Sequence, residues 1–146
     1  MALLFDWVGG WAVFSREVSP LLTDAFRREA PVRTGKLQAS IGTQEGAESL
    51  SVVSDDVTDS GYRVALGVIS GTKAHDIVPR QASVLVFYAS DGKLVFTRHV
   101  SHPGTARNTF HSRAWHDVEP EVVALFARRV GGTLRVRTSV RTINVL

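Results

Sequence analysis

Hydrophobic side chains recur at helical spacing in two stretches near the ends of this chain, and the long segment between them follows another rhythm. Val18, Leu21, Leu22, Ala25 and Phe26 form one apolar stripe, with Asp24, Arg27, Arg28 and Glu29 left for water. Phe110, Ala114, Val118, Val122, Leu125, Phe126 and Val130 form a second. Each stripe must be covered by something, so the two helices constrain every arrangement open to the rest. The first is expected over Trp11 to Ala30 in two pieces, because Ser19-Pro20 suits a cap followed by a first-turn proline better than a helix interior. It stops at Pro31, since the residue before a proline is driven out of helical geometry. The second starts at a cap on Asn108 or Thr109, meets a kink at Pro120, and ends at Gly131-Gly132.

From Leu37 to Val100 the pattern changes to short runs of Val, Ile and Ser broken by Gly, Asp and Ser clusters, which reads as antiparallel strands near 37–44, 49–55, 61–69, 83–89 and 93–99. Tyr88-Ala-Ser-Asp-Gly92 places turn residues between two apolar runs, so Val84 to Phe96 forms a hairpin, and Asp55 to Ser60 forms a polar loop. After the second helix Leu134, Val136 and Val140 alternate with Arg135, Arg137 and Arg141, a strand with a basic face. The expected class is α+β: an antiparallel meander packed against two α-helices, with a basic C-terminal strand, in one domain over residues 1–146.

At 146 residues the chain can bury about two thirds of its unfolded surface in a single core. Its 44% hydrophobic and 21% charged residues are those of a globular domain, and no run is long enough to span a bilayer. No signal peptide is expected, because Asp6 interrupts the apolar start and neither a basic flank nor a small-residue cleavage site accompanies it. Without cysteine there is no disulfide framework, no thiolate nucleophile and no cysteine-ligated zinc.

The stretch "RHVSHPGTARNTFHSRAW" at 98–115 raises the question of a reactive centre, since His99, His102 and His111 fall inside it and His116 follows. The three-residue step from His99 to His102 and the five-residue step from His111 to His116 match no zinc spacing. Ser101 with His99 or His102 and Asp117 lacks the strand-to-helix elbow of a serine hydrolase. Gly67-Val-Ile-Ser-Gly71-Thr-Lys73 falls short of a phosphate loop by one spacer residue, and Ala74 stands where a hydroxyl should follow the lysine; a loop leaving a strand is the better reading. Asp55-Asp56 reads as a solvated turn rather than a catalytic pair. No catalytic residue, cofactor or metal is expected.

Three segments in order, "APVRTGKLQASI" at 30–41, "HDIVPRQASVLVF" at 75–87 and "VSHPGTARNTF" at 100–110, resemble the neck, or tail-completion, proteins of long-tailed bacteriophages. The matching positions are Pro31, Thr34, Gly35, Leu37 and Ser40; His75, Ile77 and Pro79; and His102, Pro103, Gly104, Thr105, Asn108 and Phe110. They cover about half the chain, while Gly9-Gly10 and the basic C-terminal strand depart from the pattern. The resemblance implies a non-enzymatic homo-oligomer, a hexameric ring around the DNA path. It would join a connector or stopper ring to a tail terminator or tail tube protein, with non-specific contact to packaged double-stranded DNA and none to a membrane. Such a protein resides in the virion neck after passing through the host cytoplasm; a tail terminator ring is the neighbouring alternative, and a basic nucleic-acid-binding module the more distant one. In physical terms Pro31 stops a helix, Gly35 allows a tight turn, Leu37 with Ala39 and Ile41 opens a strand, and Pro103-Gly104 reverses the chain.

Charge is divided unevenly along the chain. Residues 1–60 hold nine acidic and five basic side chains (−4), residues 61–146 five acidic and twelve basic (+7), and no acid follows Glu121. Three arginines from each of six subunits would set roughly eighteen positive charges around a duplex, when 6–10 phosphate contacts already hold DNA tightly. DNA has to pass through such a ring, so most of Arg135, Arg137 and Arg141 are assigned to contacts between subunits or rings, with the acidic half as partner in a head-to-tail contact. Arg135→Glu with Arg137→Glu is expected to abolish ring assembly as seen by negative-stain microscopy; normal rings with altered DNA retention would place these arginines in the lumen instead.

Overall fold

The structure is a computed structural model that describes residues 7–47 and 49–131. Arg135, Arg137, Arg141 and the strand expected around them lie outside the described residues. The described elements run α1 (Trp7–Glu29), α2 (Lys36–Ser40), β1 (Ile41–Gly46), β2 (Ser49–Ser54), α3 (Val64–Ser70), β3 (His75–Ile77), β4 (Leu85–Tyr88), β5 (Leu94–Thr97), β6 (Val100–His102) and α4 (Phe110–Arg129). The class is α+β: antiparallel strand pairs with a long helix pair.

The two apolar stripes cover one another. Phe14, Val18, Leu22 and Ala25 of α1 pack against Ala114, Val118, Val122 and Phe126 of α4, with Val130 just past its end. Phe14 meets Phe126 edge-on at 5.3 Å between ring centres, a favoured aromatic geometry. The helices run antiparallel, because the start of α1 meets the end of α4 and the reverse holds at the other end. Glu17 takes Arg129, Arg28 takes Asp117, and Glu29 takes Arg113 at 2.8 Å, three ion pairs spread along the outer seam. At the Glu17 end the contact is close enough that a methyl on Gly10 would overlap the Arg129 carbonyl oxygen. That approach gives Gly10 a packing role.

Buried positions on α4 step by four residues: Phe110, Ala114, Val118, Val122, Phe126. Each such step turns about 40° past a full circle, so the buried line winds around the helix. Its first residue therefore faces a different partner from its last. Phe110 joins a second, smaller cluster with Ala30 and Ile41, onto which half-buried Phe26, Val52, Val68 and Ile69 pack.

α1 is continuous, contrary to the two pieces expected from Ser19-Pro20. Pro20 is exposed, as is Pro120 in α4, so both rings and the carbonyls they leave without an N–H partner face water. A proline in a helix interior costs about 3 kcal/mol, and burial of large apolar side chains on both sides of it outweighs that figure. Gly131 ends α4 as expected, at φ 77°, with its N–H bonded to the Phe126 carbonyl at 3.0 Å.

Two expected strand segments are corrected. Residues 36–40 form the helical turn α2, which buries Leu37, and β1 begins only at Ile41. Residues 64–70, inside the strand expected at 61–69, form α3, whose Val68 and Ile69 reach the Phe110 cluster from neighbouring helical positions. A continuous apolar run of this length does not distinguish helix from strand. The strands pair two by two: β1 with β2, β3 with β6, and β4 with β5. The hairpin expected within Val84 to Phe96 is present as β4–β5, with Leu85 opposite Thr97 and Tyr88 opposite Leu94.

Replacing Phe14 by Ala is expected to cost about 3–5 kcal/mol of unfolding free energy in urea titrations, because it opens a cavity in the helix seam. Phe96→Ala, on an exposed strand, should cost at most about 0.5 kcal/mol.

Candidate functional site

The residues that carry the phage resemblance fold into joints. Thr34 accepts a bond at Oγ1 from the Lys36 N–H at 3.4 Å, Gly35 turns through φ 78°, and Leu37 is buried behind it. Arg27 of α1 donates from Nε to the Ile41 carbonyl at 3.0 Å, and the Gln38 side-chain amide donates back to the Arg27 carbonyl at 2.8 Å. Ser40 Oγ donates to the Leu37 carbonyl at 2.8 Å and lies 2.7 Å from Ser54 Oγ. The Pro31–Ser40 segment is thus a stitched corner between α1 and β1. A shallow hollow lined by Arg27, Gly35, Gln38 and Ala39 lies on its surface.

The second and third segments meet each other. β3 and β6 pair so that His75 stands directly opposite His102, Asp76 opposite Ser101 and Ile77 opposite Val100. The two imidazoles stack with centres 5.0 Å apart and planes 29° from parallel. Hydrogen bonds assign their neutral tautomers. His75 Nδ1 lies 2.9 Å from the Lys73 carbonyl and must donate to it, whereas His102 Nδ1 accepts from the Gly104 N–H at 3.0 Å. Each ring ties down the backbone beside it. Gly104, at φ 86°, passes so near the 72–74 backbone that a methyl on it would overlap the Thr72 carbonyl oxygen and lie 2.9 Å from the Ala74 nitrogen. Thr72 and Thr105 exchange both backbone bonds at 3.0 Å, closing this crossing.

From there Asn108 carries the chain into α4. Its N–H bonds the Val68 carbonyl at 3.0 Å, and its Oδ1 accepts from the Phe110 N–H at 3.0 Å, so Asn108 rather than Thr109 provides the side-chain bond at the helix start.

The rejected chemistries do not assemble. Asp117 is paired with Arg28 on the helix seam, and His99 pairs with Asp76 at 3.1 Å, so the Ser101, His99 or His102 and Asp117 set is not brought together. Among the described residues no group of three or more His, Asp or Glu side chains is placed to hold a metal ion. Gly67 to Ser70 belongs to α3, and Gly71 caps it, so this segment is a helix end rather than the expected loop leaving a strand.

A hairpin outside both cores exposes an apolar face among the described residues. No residue between Ile69 and Phe110 joins either core cluster, so residues 71–109 form an arm built on β3–β6 and ending in β4–β5. On one face of that hairpin Val86 lies opposite Phe96, and Tyr88 opposite Leu94; their exposures are 54%, 64%, 73% and 47%. A two-stranded hairpin is marginal alone, and a contiguous apolar face in water marks an interaction surface. The pattern was in the sequence, since apolar residues fill both phases of strands at 84–88 and 94–96. Two apolar faces on a strand call for cover on both sides.

Among the described residues no helix is long and apolar enough to cross a membrane. Comparison of the chain with protein-family models, curated proteins and solved structures finds no match in any of the three.

At the head of α4 His111 keeps Nδ1 buried with no hydrogen-bond partner, while its ring stands edge-on to Phe110 at 6.1 Å. Burial, and then the nearby Arg107 charge, hold its pKa below the ordinary 6.5. The unfolded chain then takes up the proton more readily than the folded one, so stability is full above pH 6.5 and falls as the pH drops below it. His111→Phe is expected to flatten that loss, read as urea midpoints between about pH 7.5 and about pH 5 that move less than those of the parent chain.

Proposed function

We propose that this chain is a structural protein of the phage neck, assembling as a hexameric ring that joins the DNA-filled head to the tail and makes or breaks no covalent bond. The observation that carries the reading is the arm. Residues 71–109 hold two strand pairs and an apolar hairpin face outside either core, an arrangement that a monomer has no use for and a ring has. The ordered motif set adds support, because His75, His102, Pro103, Gly104 and Asn108 all lie where the arm leaves the helical body and returns to it, with Pro79 just beyond β3. Their hydrogen bonds and close approaches orient backbone, which is work a scaffold needs. Partners on the two sides of the ring are a connector or stopper protein and a tail terminator or tail tube protein, with packaged DNA passing through the centre.

Interrupting this gene in a phage that carries it is expected to leave filled heads and finished tails unjoined in the lysate, and adding the purified chain should restore joined particles counted by electron microscopy. Joined particles formed without the chain would overturn the reading.

A further inference from the structure

The arm and the loop after β2 have opposite charge and matching apolar content. Residues 71–109 carry five basic side chains against two acidic ones. Both acids are already engaged, Asp76 with His99 and Asp91 with Lys93, each at 3.1 Å. Lys73, Arg80, Arg98 and Arg107 form no ion pair among the described residues. Two of these adjoin the hairpin along the chain: Arg80 precedes β4, and Arg98 follows β5 at the open end of the hairpin. Residues 41–62 are the reverse, with five acidic side chains and no basic one. Within this stretch the loop 55–62 exposes Asp55 and Asp59 beside Val57 and Tyr62, which are 47% and 48% exposed. The hairpin thus carries exposed apolar groups with unpaired arginines next to it in sequence, and the loop, closed by the Val57–Arg63 bridge, carries exposed apolar groups with carboxylates next to them in sequence.

We infer that the β4–β5 hairpin of one copy seats its Val86, Tyr88, Leu94 and Phe96 face on the 55–62 loop of a second copy, with Arg80 and Arg98 meeting Asp55 and Asp59. Unlike surfaces in contact make a heterologous interface, which leaves each copy one free hairpin and one free loop and so propagates until a ring closes. A hairpin-to-hairpin dimer is disfavoured because it would bring Arg80, Lys93 and Arg98 of two copies together. Apolar area supplies the attraction, and the charges set which surface is chosen. This contact deepens the ring reading and rests on it only for closure.

The chain has no cysteine, so single introduced thiols report the contact directly. Full-length Tyr88→Cys and Val57→Cys chains are mixed and mildly oxidised. A disulfide-linked dimer should accumulate several-fold faster in the mixture than in either chain alone, and a chain carrying both substitutions should give a ladder of higher oligomers. Adding Phe96→Glu to the Tyr88→Cys chain should abolish the mixed dimer while leaving the thermal unfolding curve in place, since that side chain is exposed. Tyr88→Cys chains that link to one another as fast as to Val57→Cys chains would overturn the inference in favour of a symmetric pair. No mixed product, with rings of the parent chain visible by negative stain, would overturn this contact and leave the ring reading standing; no product and no rings would end both. A mixed product from a chain that leaves head-to-tail joining intact when deleted would uphold the contact and end the neck assignment.

Discussion

The antiparallel seam between α1 and α4 is the contact on which the rest of the molecule hangs. Nine of the buried side chains lie in it, and the other elements are arranged around its two ends. Helices that run in opposite directions bring Phe14 to Phe126 and Glu17 to Arg129 at one end, and Glu29 to Arg113 at the other. The ion pairs are exposed and worth little individually. Arg129 bonds Glu17 and holds its carboxyl below the ordinary carboxylate range, yet the group is in water, so the pair fixes register more than it adds stability. Stability comes from the apolar line, and the line drifts around α4 by its four-residue step. Its drift decides where everything else can dock, since it turns Phe110 away from α1's stripe and toward Ala30 and Ile41.

That geometry divides the chain into a body with a core and an arm without one. β1 and β2 remain with the body because Leu50 and Val52 reach the seam and Ser15, buried on α1, bonds the Glu45 carboxylate at 2.7 Å. α3 remains with it through Val68 and Ile69. Between residues 71 and 109 no apolar side chain joins either core, and local hydrogen bonds replace core burial as the source of order. A segment of this kind is at the low-stability end of its own fold, as elements that bind others commonly are.

Much of the body was legible from the amino acids. The two stripes specify which residues are buried almost one for one: Val18, Leu22 and Ala25, then Phe110, Ala114, Val118, Val122, Phe126 and Val130. Legibility failed where a local rule was outweighed by packing or was ambiguous. Pro20 signals a helix start, but the cost of its missing N–H is small beside the burial that spans it. Val64 to Ser70 has the composition of a strand, and only contact with Phe110 reveals that Val68 and Ile69 project from a helix. The arm failed differently. The hairpin strands are legible at 83–89 and 93–99 with Gly92 in the turn, whereas the three-residue β3 and β6 are not, and the hairpin's exposure is hidden because an apolar run looks the same whether its cover comes from its own chain or from another. The histidines posed the same difficulty: stacking of His75 on His102 depends on the register of β3 with β6, which no spacing along the chain encodes.

The motif residues gain a common purpose once the arm is seen as a limb to be aimed. A hairpin on loose tethers would lose orientational freedom on every contact it made, and that loss would subtract from its binding. At the base of this arm Thr72 and Thr105 close a backbone crossing, Gly104 lets the two chains approach, and each stacked imidazole holds a neighbouring backbone group. Asn108 then ties the returning strand to α3 and to the first turn of α4 together. Direction in the body is thereby transmitted to the hairpin before any partner arrives. The lone pair on His102 Nδ1 is occupied by an N–H of its own chain, and Asp76, opposite Ser101, is paired with His99. Rigid aim is what this arrangement of histidines, glycine and asparagine provides.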